Sequence, residues 1–200
     1  MEKITDLSQL DPNGVYTYAD YLTWQIEQAI ELVKGKILKM AAPSRRHQGI
    51  SWNLSMNVGQ QFKRHACRAY VAPFDVRLYD KKKSDKANKD IYTVVQPDLC
   101  IICDLSKLDD RGCLGAPDFI VEILSPGNSF KEMKLKKNLY EENGVREYWI
   151  IDPEHETVVT YHLQNDGTYS HPSIFASDDV VNSTIFPDFT VDLEPLFENL

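Results

Sequence analysis

Residues 116–144 read APDFIVEILSPGNSFKEMKLKKNLYEENG, and the fold is decided there. Phe119, Ile120, Val121, Ile123 and Leu124 form a nearly all-apolar run of the kind a buried strand shows. One acid, Glu122, interrupts it. Ser125-Pro126-Gly127 stops the strand, and a lysine-rich helix follows. A carboxylate in such a strand is costly to desolvate unless something positive meets it. The remainder of the chain is therefore read for the partners of Glu122.

The chain has 200 residues, 42% hydrophobic and 26% charged, which suits one domain spanning 1–200 with a sizeable core. No run approaches the roughly 18 apolar residues of a membrane span, and MEKITDLSQLDPNG lacks the regions of a signal peptide. A cytoplasmic protein is expected, with no membrane partner. The net charge of -8 argues against coating nucleic acid by bulk attraction but leaves room for a local basic groove. Candidate patches are 34–46, 81–89 and 131–137, each equally readable as a solvated face. Cys67, Cys100, Cys103 and Cys113 suit a reducing compartment as buried free thiols. Cys100 and Cys103 have a zinc-like spacing, yet an offset of three in a strand sends them to opposite faces.

In chain order, 17–28 predicts a short amphipathic helix capped at Thr17. Residues 30–40 predict two strands about a Lys34-Gly35 turn, with Glu31 in the first. Pro43-Ser44 opens a helix whose inward stripe is Ile50, Leu54, Val58 and Phe62, with His47 on the same side. That histidine reads either as a packed core residue or as a site lining. Residues 67–79 are strand-like and broken by Pro73, and 80–90 form a charged, mobile loop. Residues 91–104 and 117–124 read as two buried strands joined by a polar loop, 105–116. Residues 147–152 and 157–163 make another strand pair about Pro153-Glu154. A tail of short extended pieces ends at 186–197. The class is α/β in the mixed, α+β sense.

If the two buried strands form an antiparallel hairpin centred on residue 110, Asp98 lies directly across from Glu122 on one face. Two opposed buried carboxylates repel unless one is protonated, and a divalent cation between them removes the conflict. Mg²⁺ takes one or two carboxylates and keeps several waters. Asp118, on the same strand as Glu122, would sit about 13 Å away at roughly 3.3 Å per residue, too far to share an ion. In the following helix Met133, Leu135, Leu139 and Tyr140 span an apolar arc at about 100° per residue. Lys131, Lys134 and Lys137 project outside it. Lys136 falls inside, facing Glu122 unless its stem snorkels to the surface. Two carboxylates and a lysine make a site for metal-assisted phosphodiester chemistry.

The ordered residues Pro97-Asp98, Val121-Glu122-Ile123-Leu124-Ser125-Pro126, Lys136-x-x-x-Tyr140 and Gly144-Val145-x-Glu147-Tyr148-Trp149 resemble the Uma family of restriction-endonuclease-like proteins. Glu31-Leu32-x-x-Gly35 and Pro43-x-x-x-His47 extend the likeness, which runs from about Tyr18 to the 187–197 tail. The resemblance places the chain in the PD-(D/E)XK nuclease superfamily. It implies a mixed central sheet flanked by helices, with an extra N-terminal helix and β-hairpin. It implies Asp98 and Glu122 as metal ligands, with the Ile123 carbonyl as a third contact. The superfamily's acid-x-lysine would need a lysine at 124, where Leu124 stands. The family is similar in supplying the lysine from the following helix, which matches Lys136. Glu31, on resemblance alone, and His47, on resemblance and direction, would complete the catalytic set.

The expected function is thus a Mg²⁺- or Mn²⁺-dependent DNA endonuclease of a mobile-element or defence type, possible as a homodimer because two strands need two cuts. A catalytically inactive binding or scaffolding module of the same fold and a nuclease acting on RNA are the alternatives.

Overall fold

The computed structural model describes residues 3–79, 87–126, 130–198 and 200. Helix α1 is Tyr18–Tyr21, followed by β1 (Ile30–Val33), β2 (Lys36–Lys39) and α2 (Arg45–Phe62). Then come β3 (Arg68–Val71), β4 (Val76–Leu78), β5 (Thr93–Val95), β6 (Leu99–Ile102), β7 (Leu108–Asp109), β8 (Gly112–Leu114) and β9 (Phe119–Ile123). The chain closes with α3 (Phe130–Asn143), β10 (Glu147–Asp152), β11 (Thr157–His162), β12 (Ser173–Phe175), β13 (Val180–Asn182), β14 (Thr190–Asp192) and α4 (Leu193–Phe197).

Among the described residues the strands form two six-stranded sheets and a two-stranded ribbon, β13–β14. The first sheet has the order β2-β1-β5-β4-β8-β7 and the second β12-β11-β10-β9-β6-β3. Both are mixed, since β9 and β10 run parallel and so do β4 and β8. The fold is α+β, with two large sheets where one central sheet was expected. The reason lies at Gln96-Pro97. Proline has no backbone donor and interrupts a ladder, so residues 91–104 are two strands, β5 in the first sheet and β6 in the second.

Strand β9 is buried along its whole length. Phe119, Val121 and Ile123 pack with Ile50, Leu54, Val58 and Phe62 of α2 and with α4, while Ile120 packs in a second cluster with Leu139 and Tyr140 of α3 and with Val33, Val76 and Val95 of the first sheet. Period-2 alternation therefore sends Glu122 toward α3 and the first sheet. Ser44 caps α2, its Oγ accepting from His47 N at 3.2 Å, and the stripe 50, 54, 58, 62 is buried as its spacing implied.

Several expectations are corrected. Helix α1 ends at Tyr21 instead of 28, because Gln25 N bonds to the Ile4 carbonyl at 2.7 Å and Trp24 packs edge-on against Tyr16. The supposed loop 105–116 contains the β7–β8 hairpin. The tail is not all extended, since α4 buries Leu193, Leu196 and Phe197. Leu135 is exposed. Cys67 and Cys103 form a disulfide, following from the β3–β6 register in which Arg68 opposes Ile102. Only Cys100 and Cys113 remain buried thiols, so cysteine usage no longer argues for a reducing compartment. Cys100 and Cys103 do face opposite clusters. Of the charged loop 80–90, residues 80–86 lie outside the described residues, as does Gly127 of the strand stop. No helix among the described residues is long and apolar enough to cross a membrane.

Glu147 opens β10 and is buried, only 1% exposed. Its carboxylate accepts from Trp149 Nε1 (2.7 Å), Ser183 Oγ (2.8 Å), Thr184 N (3.2 Å) and Ile185 N (2.9 Å). It thereby pins the C-terminal segment to the second sheet. Glu147→Ala strands these donors in the core and is expected to destabilise the protein by about 3 kcal/mol or more, read by urea denaturation. A loss below about 0.5 kcal/mol, the range of ordinary surface substitutions, would remove that role.

Candidate active site

The β6–β9 ladder pairs Leu99 with Val121, Cys100 with Ile120 and Ile101 with Phe119. One step further, the same register sets Asp98 across from Glu122, as the centring on residue 110 implied. The two acids do not meet each other in the structure. Asp98 Oδ2 accepts from Ile123 N at 2.7 Å, and Oδ1 lies 3.2 Å from His47 Nε2. Glu122 Oε1 accepts from Lys136 Nζ at 2.9 Å and from the Tyr140 hydroxyl at 2.5 Å.

Lys136 reaches further. Its Nζ also lies 3.1 Å from Glu31 Oε1, which accepts in addition from Gln96 N at 2.8 Å. The lysine is thus directed inward from α3, as helical periodicity indicated, and does not snorkel. Glu31 comes from β1 of the first sheet, Glu122 from β9 of the second. All five expected side chains, Glu31, His47, Asp98, Glu122 and Lys136, line one cavity of about 300 Å³. Asp118 sits elsewhere as expected, accepting from Cys103 N at 2.8 Å and pairing with Arg146 at 3.2 Å.

Burial pushes the Glu122 carboxyl up to about 7, and the Glu31 and Asp98 charges add to the rise against Lys136 and the Tyr140 hydrogen bond. Burial alone would lower Lys136, but Glu122 and Glu31 outweigh it and raise its pKa, so the ammonium stays charged. His47 is likewise raised: Asp98, Glu122 and the Ile123 backbone overcome its burial. Burial and the Glu122 and Glu31 charges hold the Tyr140 hydroxyl well above its ordinary range, keeping it a donor.

Among the described residues no group of three or more His, Cys, Asp or Glu stands ready to hold a metal ion. The donor set nonetheless suits a hard cation. Both donors to Glu122 converge on Oε1, leaving Oε2 without a hydrogen bond among the described residues. Asp98 lines the same cavity. Two carboxylates and a backbone carbonyl, completed by water, match what Mg²⁺ accepts.

Two contributors were not anticipated. Tyr140 had been counted as apolar, yet its hydroxyl reaches Glu122; the four-residue spacing from Lys136, which puts both on one helix face, was the available signal. The Gln96 backbone donor had none. Lys137 is not simply outside the arc either: it pairs with Glu141 at 3.5 Å and lies 5.5 Å from the Tyr161 and Tyr169 rings.

Residues 18–194 match the family model of Uma2, described as "Putative restriction endonuclease". A Synechocystis sp. protein described as uncharacterized is 25% identical over 177 residues, covering 87% of this chain and 88% of its own. A crystal structure from Anabaena variabilis, described as a "putative nuclease" of DUF820, superposes with a TM-score of 0.70 at 22% identity. It covers 91% of this chain and 97% of its own, a likeness of fold.

The ion cluster carries its own expectation. Lys136→Met leaves two buried carboxylates without their ammonium and is expected to cost about 3–5 kcal/mol. Adding Glu122→Gln to that variant is expected to recover part of the loss. Strict additivity in a double-mutant cycle by urea denaturation would mean the two side chains are uncoupled.

Proposed function

The chain belongs to the Uma2 family, and from that premise we propose that it is a divalent-metal-dependent nuclease hydrolysing phosphodiester bonds of DNA. The observation that carries this reading is the Lys136 ammonium held between Glu31 and Glu122 on the wall of a cavity that Asp98 and His47 also line. Mg²⁺ or Mn²⁺ bound by Asp98, Glu122 and the Ile123 carbonyl would neutralise the scissile phosphate and lower the pKa of an attacking water.

The chain's own residues do the rest. The Ile123 amide fixes one oxygen of Asp98, and His47 holds the other. Tyr140 and Lys136 fix Glu122 by one oxygen, and the second accepts no hydrogen bond among the described residues. Lys136 has three N–H donors, of which two are engaged by Glu122 and Glu31; the third serves to orient water or to stabilise charge on the pentavalent phosphorus. His47 lines the same cavity and orients Asp98 from α2.

A binding module without chemistry is the competing reading, favoured by one observation: Lys136 pairs directly with Glu122 at 2.9 Å, so a protein side chain balances that charge. Plasmid, single-stranded and branched DNA incubated with Mg²⁺ or Mn²⁺ discriminate. Cleavage is expected from the wild-type protein, with a loss of at least about 100-fold in Asp98→Ala and Glu122→Ala proteins whose circular dichroism is unchanged. Wild-type protein inert on every DNA form with both metals, but cutting RNA, would move the substrate; inertness on both nucleic acids would sink the nuclease reading.

A further inference from the structure

Charge is distributed unevenly along this acidic chain. Residues 32–74 carry eight Lys and Arg and no Asp or Glu, so all 30 acids lie elsewhere. Among the described residues four of the eight are occupied, Arg68 by the backbone carbonyls of His65, Ala66 and Cys67. Lys34 pairs with Glu142 and Arg46 with Glu156, and Lys36 is bound to backbone carbonyls of Asn13 and Gly14. Arg45 and Lys39 have no ion pair among the described residues. Lys39 lines the catalytic cavity.

Arg45 begins an outward stripe on α2. Positions 45, 48, 49 and 52 follow the i, i+3, i+4, i+7 spacing of one helix face. Arg45, Gln48 and Trp52 line a groove of about 600 Å³, whose far wall includes Pro195 and the acid Glu198. Gln48 also lines the catalytic cavity, so the two are neighbours on either side of that side chain. Trp52 is 68% exposed, and Met56, one turn on, 49%. A large aromatic presented to solvent, on the same helix face as a guanidinium with no ion pair among the described residues and at the edge of a phosphodiester site, has the makings of a stacking platform.

We propose that the Arg45–Gln48–Trp52 face of α2 seats an unpaired base of the nucleic-acid strand that enters the catalytic cavity, Trp52 stacking on the base and Arg45 meeting its phosphate. The proposal rests on the nuclease reading for the identity of the strand. It commits to an unpaired base because the faces of a base inside a duplex are already covered by its neighbours, whereas a single strand, a frayed end or a branch offers one to Trp52. Phosphate contact by Arg45 and Lys39 adds a salt-dependent component. The enzyme accordingly acts preferentially on DNA with unpaired positions.

Fluorescein-labelled oligo-dT and a blunt duplex of equal length serve as probes, titrated into the full chain in a Glu122→Gln background by polarisation and by intrinsic tryptophan emission. Oligo-dT is expected to bind more tightly than the duplex and to quench Trp52, the most exposed of Trp24, Trp52 and Trp149. Trp52→Ala is expected to weaken oligo-dT binding roughly 5- to 150-fold and to abolish most of the quench, with Trp52→Phe retaining part of the affinity. Arg45→Ala is expected to flatten the dependence of affinity on salt by about one ion. Unchanged oligo-dT affinity in Trp52→Ala overturns the inference, and if that variant still cleaves as wild type it does so without touching the nuclease reading. Trp52-dependent binding by a wild-type protein that cleaves nothing upholds this face and overturns the catalytic reading instead. A dimer in sedimentation that Trp52→Ala dissociates, without loss of oligo-dT affinity, assigns the face to a second copy and overturns the proposal.

Discussion

One buried ammonium holds the molecule's two sheets to a common point. Lys136 comes from α3, Glu31 from the first sheet and Glu122 from the second, and their contacts of 2.9 and 3.1 Å close a cluster that neither sheet could form alone. Three charges taken out of water gain little net stability, since desolvation offsets most of the attraction. An apolar triplet of similar volume would pack at least as well. What the cluster supplies is geometry: Glu122 held by one oxygen, with Tyr140 as the second donor, and a cation kept charged in the interior by the carboxylates around it.

The site inherits its shape from that arrangement. Glu122 stands one position before the end of β9, Asp98 just ahead of β6, and the antiparallel register brings them to the same end of the sheet. From the opposite side of that sheet, α2 delivers His47 to Asp98. Leu124, two positions after Glu122, packs against the cluster between the sheets. With the ammonium carried on α3, that position is left to packing and one lysine serves two carboxylates.

How much of this was legible depended on whether the governing interaction was local. Helical arithmetic singled out Lys136 from its neighbours because side-chain direction on a helix is fixed by spacing. Parity and an assumed turn centre put Asp98 opposite Glu122 and were right about register, although Pro97 splits the strand and 105–116 builds a hairpin of its own. The first sheet as a whole was hidden because β1, β5, β4 and β8 meet by pairings between distant segments, which no local pattern encodes. The Cys67–Cys103 disulfide has the same origin, a cross-strand opposition visible only once β3 is known to pair with β6. Tyr140 was placed on the correct face and misjudged in role: a tyrosine ring reads as apolar bulk until a carboxylate is found at its hydroxyl.

A crystal soaked in Mn²⁺ and measured for anomalous scattering bears most directly on the claim that this cluster is a metal-dependent phosphodiester site. A peak is expected between Glu122 Oε2, the Ile123 carbonyl and the Asp98 carboxylate, at about 2.0–2.3 Å from its oxygen ligands, absent in Glu122→Gln crystals. No peak at millimolar Mn²⁺, with Lys136 still seated between Glu31 and Glu122, would contradict it.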